Sequence, residues 1–136
     1  MNSIPKNIIF CITILECNEE EQSFLRKMIH SVLPQAIVES IYNNQEANRY
    51  FNNCSTMPQL FFVAQDMLNV SGEDTIKNIK RLDQSSETQI ICLKNSTSKS
   101  QRTDIIKLSE TVFYVKPFTT QDLLDIVSSL NMKRVA

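Results

Sequence analysis

The chain has one glycine and one histidine among 136 residues, and it lacks any long apolar run. A lone glycine, Gly72, leaves no glycine-rich loop to cradle a phosphate. The lone histidine, His30, sits on a helix flank with no triad partner spaced to it, and is expected at the surface or rim. No segment approaches the ~18 apolar residues of a membrane span. A dominant charge is also missing: 14 basic and 15 acidic residues leave a formal charge of -1. Neither nucleic acid nor an anionic membrane is therefore expected as the main partner.

Four cysteines, Cys11, Cys17, Cys54 and Cys92, form no CxxC pair and no Cys/His ligand spacing. This pattern points to buried thiols in a reducing, cytoplasmic setting. Lys6 followed by Ile8 to Leu15 superficially looks like a leader. The run is short, however, and leads into Glu16 and the cluster Glu19-Glu20-Glu21 with no small-residue cleavage site, so it reads as a first strand.

What is present is organised around Gln59 to Asp66. Leu60, Phe61, Phe62 and Val63 show no alternation, which in so short a run predicts a strand buried on both faces, at the centre of a parallel sheet. Pro58 marks its start. Met67 to Ser71 shows no pattern, and Gly72 suits the loop that must close into the next helix. Ligands of open α/β sheets collect beyond the carboxyl ends of the strands, which places Ala64, Gln65 and Asp66 in or near the candidate site.

Around that strand the chain alternates. Asn18, with Glu21 three residues on, predicts the N-terminus of a helix that buries Phe24, Leu25, Met28, Ile29, Val32 and Leu33 and ends at Pro34. Ala36 to Ile41 is a second strand, and about Asn44 to Asn52 a second helix with Ala47, Tyr50 and Phe51 inward. Ser71 and Asp74 frame a third helix burying Ile76, Ile79 and Leu82. Ile90 to Leu93 is a fourth strand stopping at Lys94. Ser98 and Gln101 cap a fourth helix carried by Ile105, Ile106 and Leu108. Val112 to Val115 is a fifth strand, and Thr119 caps a last helix with Leu123, Leu124, Ile126, Val127 and Leu130 inward. Five strands separated by five helices predict parallel βαβ units in a three-layer α/β sandwich. The length suits one domain spanning residues 1–136, with its core at about 8–132.

The order of elements and the Lys116-Pro117-Phe118 tripeptide after an apolar strand resemble the receiver domain of two-component response regulators, a flavodoxin-like (βα)5 fold. The resemblance covers the chain from Ile8 to about Met132. It implies that Glu16 and Cys17 occupy the place of the acidic pair that holds Mg²⁺. Ala64 falls on the phosphoacceptor aspartate, Lys94 on the hydroxyl residue and Lys116 on the lysine. Spacings of eight residues from Ala64 to Gly72, thirty from Ala64 to Lys94 and twenty-two from Lys94 to Lys116 fit that register. Phe113 falls on the aromatic switch position. An alternative register makes Asp66 the acceptor, but its loop to Gly72 and its distance to Lys116 are two residues short.

In the preferred register the usual chemistry fails. Phosphoryl transfer needs a carboxylate nucleophile, a divalent cation and fixed donors. Ala64 removes the first, Cys17 offers a soft thiol to a hard ion, and Lys94 replaces a small hydroxyl. Glu16 and Lys116 are then expected to pair directly, and Lys94 to stand in as a built-in cation. Cys17 is expected to be inert or mildly reactive: its neighbours are acidic, and Ser23 stands where a Cys-x5-Arg phosphatase loop needs arginine.

The resemblance therefore implies a stand-alone, degenerate receiver: a non-enzymatic module of two-component, phosphorelay-type signalling that binds protein partners without phosphorylation. Neither a cofactor nor Mg²⁺ is expected. Partners would be a histidine kinase or a downstream regulator, with homodimerisation open through the surface of the fourth helix, fifth strand and fifth helix, where Phe113, Arg102, Lys107 and Asp122 would lie. Few residues follow the last helix, so no output domain is expected. Two alternatives remain: a receiver phosphorylated at Asp66, and a flavodoxin-like cofactor binder. The acidic, glycine-free loop from Glu16 to Gln22 opposes the second.

Overall fold

The computed structural model describes residues 10–54, 56–70, 73–83, 87–95 and 111–135. Five parallel strands form one sheet: β1 (Cys11–Leu15), β2 (Ile37–Ile41), β3 (Leu60–Ala64), β6 (Gln89–Lys94) and β7 (Thr111–Val115). Their order is β2-β1-β3-β6-β7. The chain thus winds outward from β1 to β2, then crosses back past β1 to β3. That reversal creates a switch point beyond the carboxyl ends of β1 and β3, where open α/β sheets place their sites.

Burial explains why β3 is central. Leu60, Phe61, Phe62, Val63 and Ala64 are all buried, because helices cover both of the faces to which successive side chains point. On one face, Leu60 and Phe62 join Phe10, Ile12 and Ile14 under α1 (Glu19–Val32) and the C-terminal helix α4 (Thr120–Val135). On the other, Phe61 and Val63 pack with Leu15 and Cys92 against α2 (Asn44–Asn53) and α3 (Thr75–Leu82). Aromatic rings lock each layer: Phe62 meets Phe118 edge-on, and Phe61 stacks on Phe51. Each fully buried Leu, Ile or Phe contributes ~1.5–3 kcal/mol, so the two clusters carry the stability of the sandwich.

The helix starts follow their capping residues. Asn18 accepts a hydrogen bond from Glu21 N, and Asn43 accepts one from Glu46 N. Asp74 Oδ1 accepts from Ile76 N and Lys77 N. Thr119 and Asp122 cap α4 reciprocally, each side chain accepting from the other's backbone N–H. Such caps satisfy donors that the first helical turn leaves free.

Several expectations need correction. Phe24 and Leu124, read as core residues, are 47% and 41% exposed. At roughly 100° per residue, each lies one step off the stripe that its neighbour, Leu25 or Leu123, buries. The thiols are not uniformly buried: Cys11 and Cys17 are exposed, Cys54 is half-buried and only Cys92 is enclosed. Cys11 opens its strand, and Cys17 lies beyond the end of β1. Between β3 and α3 the chain also forms a 3-10 turn (Gln65–Met67) and a two-stranded antiparallel hairpin of β4 (Asn69–Val70) with β5 (Glu73–Asp74). Buried Thr75 ties this excursion down, donating from Oγ1 to Met67 O at 2.7 Å and from its backbone N to Leu68 O at 2.8 Å. His30 is exposed, with a ring nitrogen 3.2 Å from Ala36 O.

The helix expected between Ser98 and Leu108, with Arg102 and Lys107, lies outside the described residues, as does Gly72. Among the described residues no helix is long and apolar enough to cross a membrane.

Candidate functional site

The sheet register brings the candidate residues to one edge. Leu15 pairs with Val63, which places Glu16 level with Ala64. Ala64 pairs with Leu93, and Lys94 with Val115, just before Lys116. Lys116 N then donates to Lys94 O at 2.9 Å, extending the ladder past the last strand. Glu16, Ala64, Lys94 and Lys116 thus come from four adjacent strand ends. β3 ends at Ala64, and Asp66 falls in the following 3-10 turn with its side chain exposed.

Glu16 is 4% exposed, yet it is fully engaged. Its Oε2 accepts from Asn18 N at 3.1 Å, and its Oε1 stands 3.4 Å from Lys116 Nζ. Lys116 also reaches Glu21 Oε1 at 3.0 Å. Burial alone would lower the Lys116 pKa, but the Glu21 hydrogen bond and the charges of Glu16 and Glu21 outweigh it and raise it above its ordinary value. One ammonium therefore closes two carboxylates from β1 and α1 onto the end of β7.

Lys94 takes a different course. It is 4% exposed, and its ammonium stands 5.9 Å from the centre of the Phe113 ring. Among the described residues no carboxylate lies within 4 Å of it, so the buried cation does not replace a metal ion beside Glu16. Its stem fills space at the end of β6 while its charge faces an aromatic ring, a contact worth ~0.5–2 kcal/mol. Phe113 itself is half-buried on β7.

Ala64 contributes a methyl group and no donor or acceptor. The polar link at this level comes from its neighbour: buried Gln65 accepts a hydrogen bond from Asn95 N at 2.8 Å, joining the tips of β3 and β6. Cys17 is exposed and faces a separate shallow hollow with Tyr42 and Met67. Beside the Glu16–Lys116 pair lies a cavity of about 410 Å³ walled by Phe24, Leu25, Leu93, Pro117 and Phe118.

Sequence reasoning missed two participants. Glu21 reads as a capping residue, yet its carboxylate turns to Lys116. Gln22 is wholly buried, and its Nε2 lies within 3.1 Å of the carbonyls of Ile14, Glu16 and Ile41. It clamps the ends of β1 and β2 beneath the site. The signal for it was present: Gln22 stands three residues before Leu25 on the buried stripe of α1. Gln65, placed near the site by its position after the central strand, had no role assigned from the sequence, and its link to Asn95 comes from the structure.

No family model and no curated protein matches the sequence. Solved structures do. The signal receiver domain of a DNA-binding response regulator (merR) from Colwellia psychrerythraea 34H superposes with a TM-score of 0.70 at 19% identity, over 90% of this chain and 98% of that one. A response regulator receiver protein from Pseudomonas putida gives 0.67 at 18%, over 90% and 98%. The signal receiver domain of a protein described as a Luxo repressor, from Vibrio parahaemolyticus, gives 0.66 at 13%, over 94% and 95%. At these identities the likeness is one of architecture, and this chain has the flavodoxin-like α/β fold of response-regulator receiver domains.

Proposed function

We propose that the protein is a degenerate receiver of two-component signalling, a non-enzymatic module that binds other proteins without phosphorylation at the usual acceptor position. The observation that carries this reading is Ala64 at the end of β3, level with Glu16 and flanked by buried Lys94. A methyl group cannot attack a phosphoryl group.

The donor set argues against Mg²⁺ in the same place. A hard divalent ion is held by several oxygens, usually including carboxylates. Here the one strand-end carboxylate, Glu16, is occupied by Asn18 N and Lys116, while Cys17 offers a soft thiol and Ala64 nothing. Among the described residues no three His, Cys, Asp or Glu side chains gather as a metal group would need. Lys116 sets a positive charge of the chain's own against the Glu16 and Glu21 carboxylates.

The Lys94–Phe113 contact supports a fixed output surface. With an ammonium against its ring, Phe113 is biased to one orientation, and the face around β7 and α4 is held in one state. Partners of such a module are a histidine kinase or a downstream regulator, met in the cytoplasm, with a second copy of the chain as a further possibility on the β7 and α4 face.

Rebuilding the missing groups tests the reading. Ala64→Asp combined with Cys17→Asp and Lys94→Thr restores a nucleophile, a second metal ligand and a small hydroxyl. That triple variant is expected to take up phosphoryl groups from acetyl phosphate with Mg²⁺, while the natural chain stays unmodified. Equal labelling of both proteins would contradict the proposal.

A further inference from the structure

The cavity of about 410 Å³ between α1 and the end of β7 joins two kinds of surface. Its walls are apolar: Leu25, Leu93 and Phe118 reach it from the core, with Pro117 and Phe24 beside them. Phe24 is 47% exposed. A lone exposed apolar residue is ordinary, but this one forms a wall of a cavity whose volume lies within the ~300–1,000 Å³ range of small-molecule sites. At the polar end stand Glu16, Glu21 and Lys116. Two carboxylates against one ammonium leave one negative charge in excess. Glu16 is enclosed, whereas the Glu21 side chain keeps 37% of its surface and can meet a ligand as well as Lys116. The partial positive charge of a helix N-terminus, roughly half an elementary charge, is offset by Glu19 and Glu20 on the same turn of α1. Lys94 follows Leu93 on β6 and so points to the opposite face of the sheet, toward Phe113.

We propose that this cavity binds a small organic cation, an aromatic body carrying one ammonium group. The body covers the Phe24, Leu93 and Phe118 walls, which removes apolar surface from water and sets ring against ring. The ammonium supplies the charge that the polar end lacks, pairing with the accessible Glu21 carboxylate. An anionic ligand is disfavoured, because Lys116 already serves both carboxylates and no other cation lines the cavity among the described residues. A neutral ligand of the same shape gains the apolar contact alone. Binding here involves no phosphoryl chemistry, so it stands or falls independently of phosphorylation at the strand ends.

The test titrates the whole, isotopically labelled chain with phenethylamine, phenethyl alcohol and phenylacetate, which share one body and differ in charge, and follows amide chemical shifts. Phenethylamine is expected to shift Phe24, Leu25, Leu93 and Lys116 saturably and to bind about 10-fold tighter than the alcohol, the worth of one hydrogen bond to a charged group. Phenylacetate should bind weakest. Glu21→Gln should cost the amine about that same 10-fold and leave the alcohol unchanged. Phe24→Ala should weaken both on the order of 5-fold through lost apolar contact. Both positions retain exposure, so the variants are expected to fold, as circular dichroism verifies. Ile37→Ala, exposed on β2 at the far edge of the sheet, should change nothing. The proposal is overturned if the amine gives no saturable shift at these residues, if the alcohol or phenylacetate binds as tightly, if Glu21→Gln or Phe24→Ala leaves the amine's affinity unchanged, or if Ile37→Ala weakens it as much as Phe24→Ala. A capped Phe-Arg peptide that binds far tighter than phenethylamine would make the cavity a docking point for a partner protein and overturn the small-molecule assignment.

Discussion

Lys116 Nζ stands 3.4 Å from Glu16 Oε1 and 3.0 Å from Glu21 Oε1, tying the end of β7 to β1 and α1. Glu16 is nearly enclosed, so this contact neutralises a carboxylate that water reaches poorly. Removing the cation would leave that charge buried and unpaired. Lys116→Met is expected to destabilise the fold by ~2–3 kcal/mol, less than a fully buried pair because Lys116 keeps some exposure. Adding Glu16→Gln should recover part of that loss. Urea unfolding of the two single variants and the double variant measures the coupling, and simple additivity would contradict the pairing.

The same contact sets a pH dependence. The Lys116 pKa is raised on folding, so its contribution is fully present below the unfolded lysine value and is lost as pH rises through the higher folded value. In the natural chain this component fades only above pH ~10.5, and in Lys116→Met it is absent.

Cys92 gives a second alkaline component. Burial pushes its thiol from 9.0 up to about 12, with the Lys94 charge offsetting only part of the effect. Between those values the unfolded thiol ionises while the folded one keeps its proton. Stability should therefore fall with rising pH across about 9 to 12, by roughly 1.4 kcal/mol per pH unit from this group. Cys92→Ala is expected to be less stable at neutral pH but to show a shallower decline over that window, as thermal melts against pH would reveal. An unchanged slope would mean that the thiol titrates normally.

Gln22 is expected to matter more than any exposed apolar residue of α1. Gln22→Leu strips the donor from the carbonyls of Ile14, Glu16 and Ile41 and should cost ~1–3 kcal/mol. Leu25→Ala should cost ~2–5 kcal/mol, whereas Phe24→Ala, at a largely exposed position, should stay within about 1 kcal/mol. Guanidinium midpoints of the three variants order them directly.

The elements set by burial were legible in the sequence. Leu60 to Val63 reads as a central strand because a period-free apolar run needs cover on both faces, and Asn18, Asp74 and Thr119 read as caps because their side chains act locally. The alternation of strands and helices therefore yielded the fold class, and the apolar strand before Lys116-Pro117-Phe118 the resemblance. Phe24 and Leu124 were misplaced because one helical step separates core from rim, and composition does not register it. The hairpin of β4 and β5 was invisible because two-residue strands have no period. At the site, the choice of Glu21 as a second partner for Lys116 and of Phe113 as the neighbour of Lys94 depends on which strand ends meet. Those contacts span long stretches of sequence, and local pattern carries no trace of them.

The central claim is that no phosphoryl group is accepted at this strand-end site. Intact-protein mass spectrometry after incubation with acetyl phosphate and Mg²⁺, run beside Asp66→Asn, tests it most directly. The account predicts unmodified mass for both proteins. An adduct on the natural chain that disappears in Asp66→Asn would contradict it and identify Asp66, exposed in the turn after β3, as a working acceptor.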